Sequence, residues 1–101
     1  MTSSITWTPN LPPFDADPDD ITDFVFDFGD WLGEDTINPT FTVALAEGCE
    51  AIVPPTGITD TTATLRVSGG QEGLTGSATL RLRTVNGRQS DRTLRFRFKQ
   101  L

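Results

Sequence analysis

Near its end the chain reads TLRFRFK, Thr93 to Lys99. Leu94, Phe96 and Phe98 alternate with Arg95, Arg97 and Lys99. Successive side chains of a strand point to opposite faces, so this segment is a strand with one dry face and one cationic face. Ser77–Val85 repeats the pattern, setting Ala78, Leu80 and Leu82 against Arg81 and Arg83. Between the two lies Asn86-Gly87, a pair suited to a two-residue type I′ turn. That turn fails on parity. It would pair Leu80 with Thr93 and Arg81 with Arg92, leaving Leu94, Phe96 and Phe98 on the face of Arg81 and Arg83. Shifting the pairing by one residue gathers Ala78, Leu80, Leu82, Leu94, Phe96 and Phe98 on one face. The five cations Arg81, Arg83, Arg95, Arg97 and Lys99 then take the other. The sequence therefore predicts a three-residue loop with Gly87 at positive φ, or a bulge near Ser90.

The rest of the chain keeps the period of two. Phe24, Phe26 and Phe28 share one face of a strand, and Asp23, Val25 and Asp27 share the other. Gly29-Asp30 breaks that alternation before Trp31-Leu32. Phe41, Val43 and Leu45 share a face in FTVAL, Ala51–Val53 is a short strand halted by Pro54-Pro55, and Thr62–Ser68 alternates again. Gly69 to Gly73 reads as a turn at positive φ. The sum is about seven short strands with closely spaced turn signals and no convincing helix. That predicts an all-β fold, an immunoglobulin-like β-sandwich over residues 21–101. Residues 1–20 hold four prolines and scattered apolar side chains, and predict an extended N-terminal arm. Ile5, Trp7, Leu11 and Phe14 stand in it as anchors for a partner. At 101 residues the expectation is one such domain.

Several chemistries are excluded by composition. There is no histidine, which removes Ser-His-Asp and Cys-His catalysis and the usual histidine-liganded zinc sites. Cys49 is the single cysteine, so no disulfide forms within the chain. With Glu47 and Glu50 beside it, its thiolate is disfavoured. Asp15, Asp17 and Asp19 have the odd spacing of a calcium loop, but Asp20 stands where that loop needs Gly and Phe26 where it needs Glu. Those acids read as a solvated linker, with no metal or other cofactor. Paired carboxylates would need a cleft that so small a domain lacks, so no enzyme is expected. The GGQEG turn has neither the following helix nor the Lys-Ser/Thr pair of a phosphate loop. No run of about eighteen apolar residues predicts a membrane span, and MTSSITWTPN has neither the basic nor the apolar part of a secretory signal.

Charge is divided along the chain. Residues 1–65 carry twelve acids and no base, and residues 66–101 carry eight bases and two acids. Such a chain either lays acidic strands beside basic ones, or presents a bipolar surface to copies of itself or to an acidic protein. The five-cation face is the candidate docking surface, with Arg81, Arg83, Arg95 and Arg97 at its centre. It lacks interleaved exposed aromatics, which argues against nucleic acid.

The ordered set DPDDITDFVFDFGDWLGEDTI, with Trp7 upstream, SGG at 68–70 and GRQSDRT at 87–93 resembles a family of small tailed-bacteriophage virion structural proteins. Members are often labelled tail-fibre adaptor or head–tail connection protein. The resemblance spans roughly Trp7 to Lys99, and departs at Ala46–Thr61 and at Phe24 and Phe28. It implies a non-enzymatic virion component, made in the host bacterial cytoplasm, whose partners are other virion proteins (tail, fibre or capsid subunits) in a symmetric multi-copy assembly. An adaptor joining a fibre or spike to the tail is the first reading. A capsid decoration protein is the second, and a carbohydrate- or surface-binding module, with Trp31 as its platform, is the third.

Overall fold

The structure is a computed structural model and describes residues 2–5 and 13–100. In chain order its strands are β1 (Thr2–Ile5), β2 (Phe14–Ala16), β3 (Thr22–Asp27), β4 (Val43–Glu47), β5 (Glu50–Ile52), β6 (Thr62–Ser68), β7 (Thr75–Arg83) and β8 (Gln89–Phe98). They form two four-stranded sheets, β1-β3-β6-β5 and β2-β8-β7-β4, packed as an all-β sandwich. A single helical turn, α1 (Gly29–Leu32), and 3-10 turns at Pro39–Phe41 and Pro55–Gly57 punctuate the strands. Helix enters where none was expected because Gly29 breaks the alternation and the Asp27 carboxylate accepts from its N–H at 2.8 Å.

The β7–β8 hairpin takes the shifted register. Ala78 pairs with Leu94, Leu80 with Arg92, and Arg83 with Gln89. The loop between them is closed by Thr84 N–H donating to the Arg88 carbonyl at 2.8 Å and Gly87 N–H to the Thr84 carbonyl at 3.0 Å, with Gly87 at φ 90°. This is the three-residue loop that parity demanded. Leu80, Leu82, Leu94, Phe96 and Phe98 are consequently buried, and face Phe24, Phe26, Ala63, Leu65 and Val67 of the other sheet. The Phe24 and Phe96 rings meet across the layers at 5.7 Å between centroids. The Gly69–Gly73 turn also forms, with Gly69, Gly70 and Gly73 at positive φ. Gly70 has a second duty, since a Cβ there would come 2.7 Å from the Phe98 ring.

Two expectations change. The apolar face of Phe41, Val43 and Leu45 turns outward. Val43 pairs with Arg81 and Leu45 with Thr79, both outward members of β7, so Ala44 takes the core side instead. Pairing with a neighbour decides the face here, and hydrophobicity alone does not. Within residues 1–20, both described strands pair with their own chain. β1 runs parallel to β3, with Ile5 opposite Phe26, and β2 runs parallel to β8, with Phe14 opposite Phe96. Phe14 packs on Phe24 at 5.5 Å, against the core.

Leu80→Ala should cost about 2–5 kcal/mol in urea unfolding, as a fully buried leucine does. Leu45→Ala, on the outward face, should stay within about 0.5 kcal/mol. Comparable costs at the two positions would refute this register.

Candidate functional site

The predicted cationic face forms on the outer side of the second sheet. Arg81, Arg83, Arg95, Arg97 and Lys99 all project from it. Carboxylates interrupt the row. Arg81 makes a two-point contact with Asp91, both nitrogen–oxygen distances being 2.9 Å. Asp15, brought alongside by β2, lies 3.0 Å from Lys99 and 3.4 Å from Arg97. The Lys99 ammonium beside Asp15, and the Arg81 guanidinium beside Asp91, hold those carboxyls below their ordinary range. Arg83 donates to the Gln89 side-chain oxygen at 3.0 Å and lies 4.1 Å over the Phe41 ring. A shallow hollow opens at one end, lined by Pro13, Glu47, Gly48, Thr75, Ser77 and Arg95. On this face five cations stand against Asp15, Glu47 and Asp91. On the outer side of the first sheet the balance reverses, with Arg66 against Asp23, Asp27 and Glu50. Arg66 is tied to Asp23 at 2.8 Å. The pairs are exposed, so each adds little stability and their value lies in patterning the two faces.

Asp35, in the DWLGEDTI segment, serves another purpose. It is nearly fully buried and sits at the opposite end of the sandwich, among α1 and the β7–β8 loop. It accepts from Thr36 N–H at 2.9 Å, Asn86 N–H at 3.3 Å and Arg88 Nε at 3.1 Å. Burial opposes its ionisation, but hydrogen bonds from Thr84, Thr36, Arg88 and Asn86 outweigh it and hold the carboxyl below the ordinary range. Arg88 continues the network, donating to the Trp31 and Leu32 carbonyls at 3.1 and 2.8 Å and stacking 4.5 Å over the Trp31 ring. The segments DWLGEDTI and GRQSDRT therefore meet here as a structural lock. Sequence reasoning missed this pairing, and also Arg92, which parity turns inward to lie 4.1 Å over the Phe28 ring.

Other expected sites resolve as follows. Trp31 is half-buried against the core with Arg88 on one face, a poor sugar platform. Asp17 closes a turn, accepting from Asp19 N–H on its carboxylate and from Asp20 N–H on its carbonyl. Among the described residues no three His, Cys, Asp or Glu side chains gather as metal ligands would. Burial pushes the Cys49 thiol up, so it is a poor nucleophile. Phe14 faces the chain's own core, Ile5 is placed by its backbone pairing alone, and Trp7 and Leu11 lie outside the described residues.

Asp35 also sets a pH dependence. A carboxyl whose folded pKa is depressed stabilises the fold above its unfolded value, and that stability is lost as pH falls through the folded value. The melting temperature should hold from neutrality to about pH 4 and drop below it. Asp35→Asn should lower it at neutral pH and flatten part of the acid limb. An unchanged acid limb would show that Asp35 is not the lock.

Comparison with known proteins fits this geometry. No curated protein matches the sequence. A solved structure similar to it is the solution structure of amebosin, with a TM-score of 0.57 over 98% of this chain and 99% of that one. At 17% identity that likeness concerns the fold alone. Residues 16–97 run from the end of β2 into β8 and contain the whole of both DPDDITDFVFDFGDWLGEDTI and GRQSDRT. Over that span the sequence matches the family described as podophage GP4 fiber-tail adaptor protein gp77, and the chain belongs to that family.

Proposed function

We propose that this protein is a non-enzymatic virion component that joins a tail fibre or spike to the tail through protein–protein contacts, with the cationic outer face of the second sheet as one docking surface. The observation that carries the reading is the opposite charge of the two outer faces, five cations against three carboxylates on one and one against three on the other. An adaptor must hold two unlike neighbours at once, and faces of opposite charge select different partners and fix their orientation. Arg81, Arg83, Arg95 and Arg97 meet an acidic surface in this scheme, and Arg suits such contacts because its planar fork binds carboxylates in two-point fashion.

Residues 1–20 act as the arm and 21–101 as the body. What supports the division is direction: β1 and β2 join their sheets in parallel, whereas the body strands pair antiparallel. Ile5, Trp7 and Leu11 are the arm residues offered to a neighbour, while Phe14 fastens the arm to its own body. The immunoglobulin-like reading rests on strand order, since β1-β3-β6-β5 and β4-β7-β8 follow the ABED and CFG arrangement of immunoglobulin domains.

The double substitution Arg95→Glu, Arg97→Glu should leave the circular dichroism spectrum intact and weaken incorporation into tails lacking the protein. Two anchors of about 2 kcal/mol each correspond to a loss of roughly a hundredfold to a thousandfold in affinity. Particles carrying the variant and a full set of fibres would overturn the proposal.

A further inference from the structure

Among the described residues no strand pairs with the outer edge of β4. β4 is the end strand of the second sheet, and its first four residues, Val43 to Ala46, carry no charge and no proline. Val43 is 40% exposed and Leu45 47%. Exposed edges are ordinarily blunted by shortness, charge, proline or a bulge. β2 and β5 follow that rule. Each has three residues, β2 carries Asp15 and is soon followed by Pro18, and β5 begins at Glu50 and halts before Pro54. β4 has five residues, and two of its three outward side chains, Val43 and Leu45, are apolar and exposed.

We propose that β4 is a self-association edge: two copies pair β4 with β4 antiparallel, about a two-fold axis at Leu45, and continue the second sheet across both. The inference rests on sheet order and register, independently of the adaptor reading.

Three features favour a second copy as the occupant. The first is parity. With Leu45 opposite Leu45, Val43 meets the other copy's Glu47, and Ala44 meets its Ala46. Outward residues meet outward ones, and two small inward residues meet over the core side, so the sheet continues without turning a side chain to the wrong face. The second is charge. The Val43 end of β4 lies beside Arg81, with Arg83 over Phe41 just beyond, and the other end carries Glu47. Antiparallel pairing sets each copy's Glu47 opposite the other copy's Val43, at the end of the strand whose next neighbour is Arg81, itself paired with Asp91 on the far side. Parallel pairing would set like ends together. The third is closure. A two-fold pairing consumes both β4 edges, so association stops at two and does not propagate into a fibre.

A five-residue edge makes a small interface, so exchange between monomer and dimer is expected. Sedimentation velocity of the full chain from about 10 µM to about 1 mM should show a concentration-dependent dimer, a range that brackets weak specific affinities. Leu45→Lys, which sets two ammonium groups face to face, should keep the β-sheet spectrum and remain monomeric throughout. Register is read by oxidation in a Cys49→Ser background. Directly opposed side chains have Cβ atoms about 4.5–5.5 Å apart, close to disulfide reach. Leu45→Cys should cross-link to itself at least tenfold faster than Val43→Cys does, and Val43→Cys mixed with Glu47→Cys should cross-link too. A wild-type chain monomeric across the whole range, or equal self-cross-linking at positions 43 and 45, would overturn the proposal. So would cross-linking of Leu45→Cys in particles to a different virion chain, which would make the edge a site for a donated strand.

Discussion

One residue of register between β7 and β8 governs this molecule. If Asn86-Gly87 closed the hairpin alone, each phenylalanine of β8 would share a face with an arginine of β7. The extra residue in the loop moves Leu94, Phe96 and Phe98 beside Leu80 and Leu82 and sends the cations outward as a group. The core and the charged face are therefore two consequences of the same pairing. Neither can be altered without the other, because side-chain direction in a strand has a period of two. Thr84 and Gly87 supply the geometry for that loop, and the loop delivers Arg88 to Asp35.

The lock at that end explains the acid-rich signature. Clustered carboxylates suggest chemistry, yet Asp35 spends its acceptors on two backbone N–H groups, a threonine and an arginine. Arg88 in turn donates to the Trp31 and Leu32 carbonyls at the end of a four-residue helix, where Leu32 also accepts from the Asp35 N–H. Chain segments more than fifty positions apart are tied together by this one network. A half-satisfied version would be costly, which gives such residues a structural reason to occur together.

Charge division along the chain becomes charge division in space, though only partly. Asp23 with Arg66, Asp15 with Lys99 and Asp35 with Arg88 each join the acidic half to the basic half. These contacts cancel some of the separation. What remains is a cationic outer face on one sheet and an acidic outer face on the other. That residue of asymmetry suits a protein placed between two different neighbours.

Much of this was legible from residue order. Alternation gave the strands, the dry faces of Phe24–Phe28 and Leu94–Phe98, and the three-residue loop, because side-chain period and hydrophobicity are local properties. The positive φ values of the Gly69–Gly73 turn were legible for the same reason. Composition removed histidine chemistry and disulfides within the chain. The face taken by Val43 and Leu45 was not legible, because it depends on which residues of β7 lie opposite them. Nor was the pairing of β1 and β2 with the two sheets, since an extended segment pairs with whatever edge tertiary folding leaves within its reach. The Asp35–Arg88 lock likewise exists only once two distant loops are brought to one end. Sequence by itself determined the strands, their faces where apolar and polar residues alternate cleanly, and the charge of each half. Tertiary structure alone decided which edges stay open and which acids are consumed in holding the fold, because both depend on contacts between residues far apart in the chain.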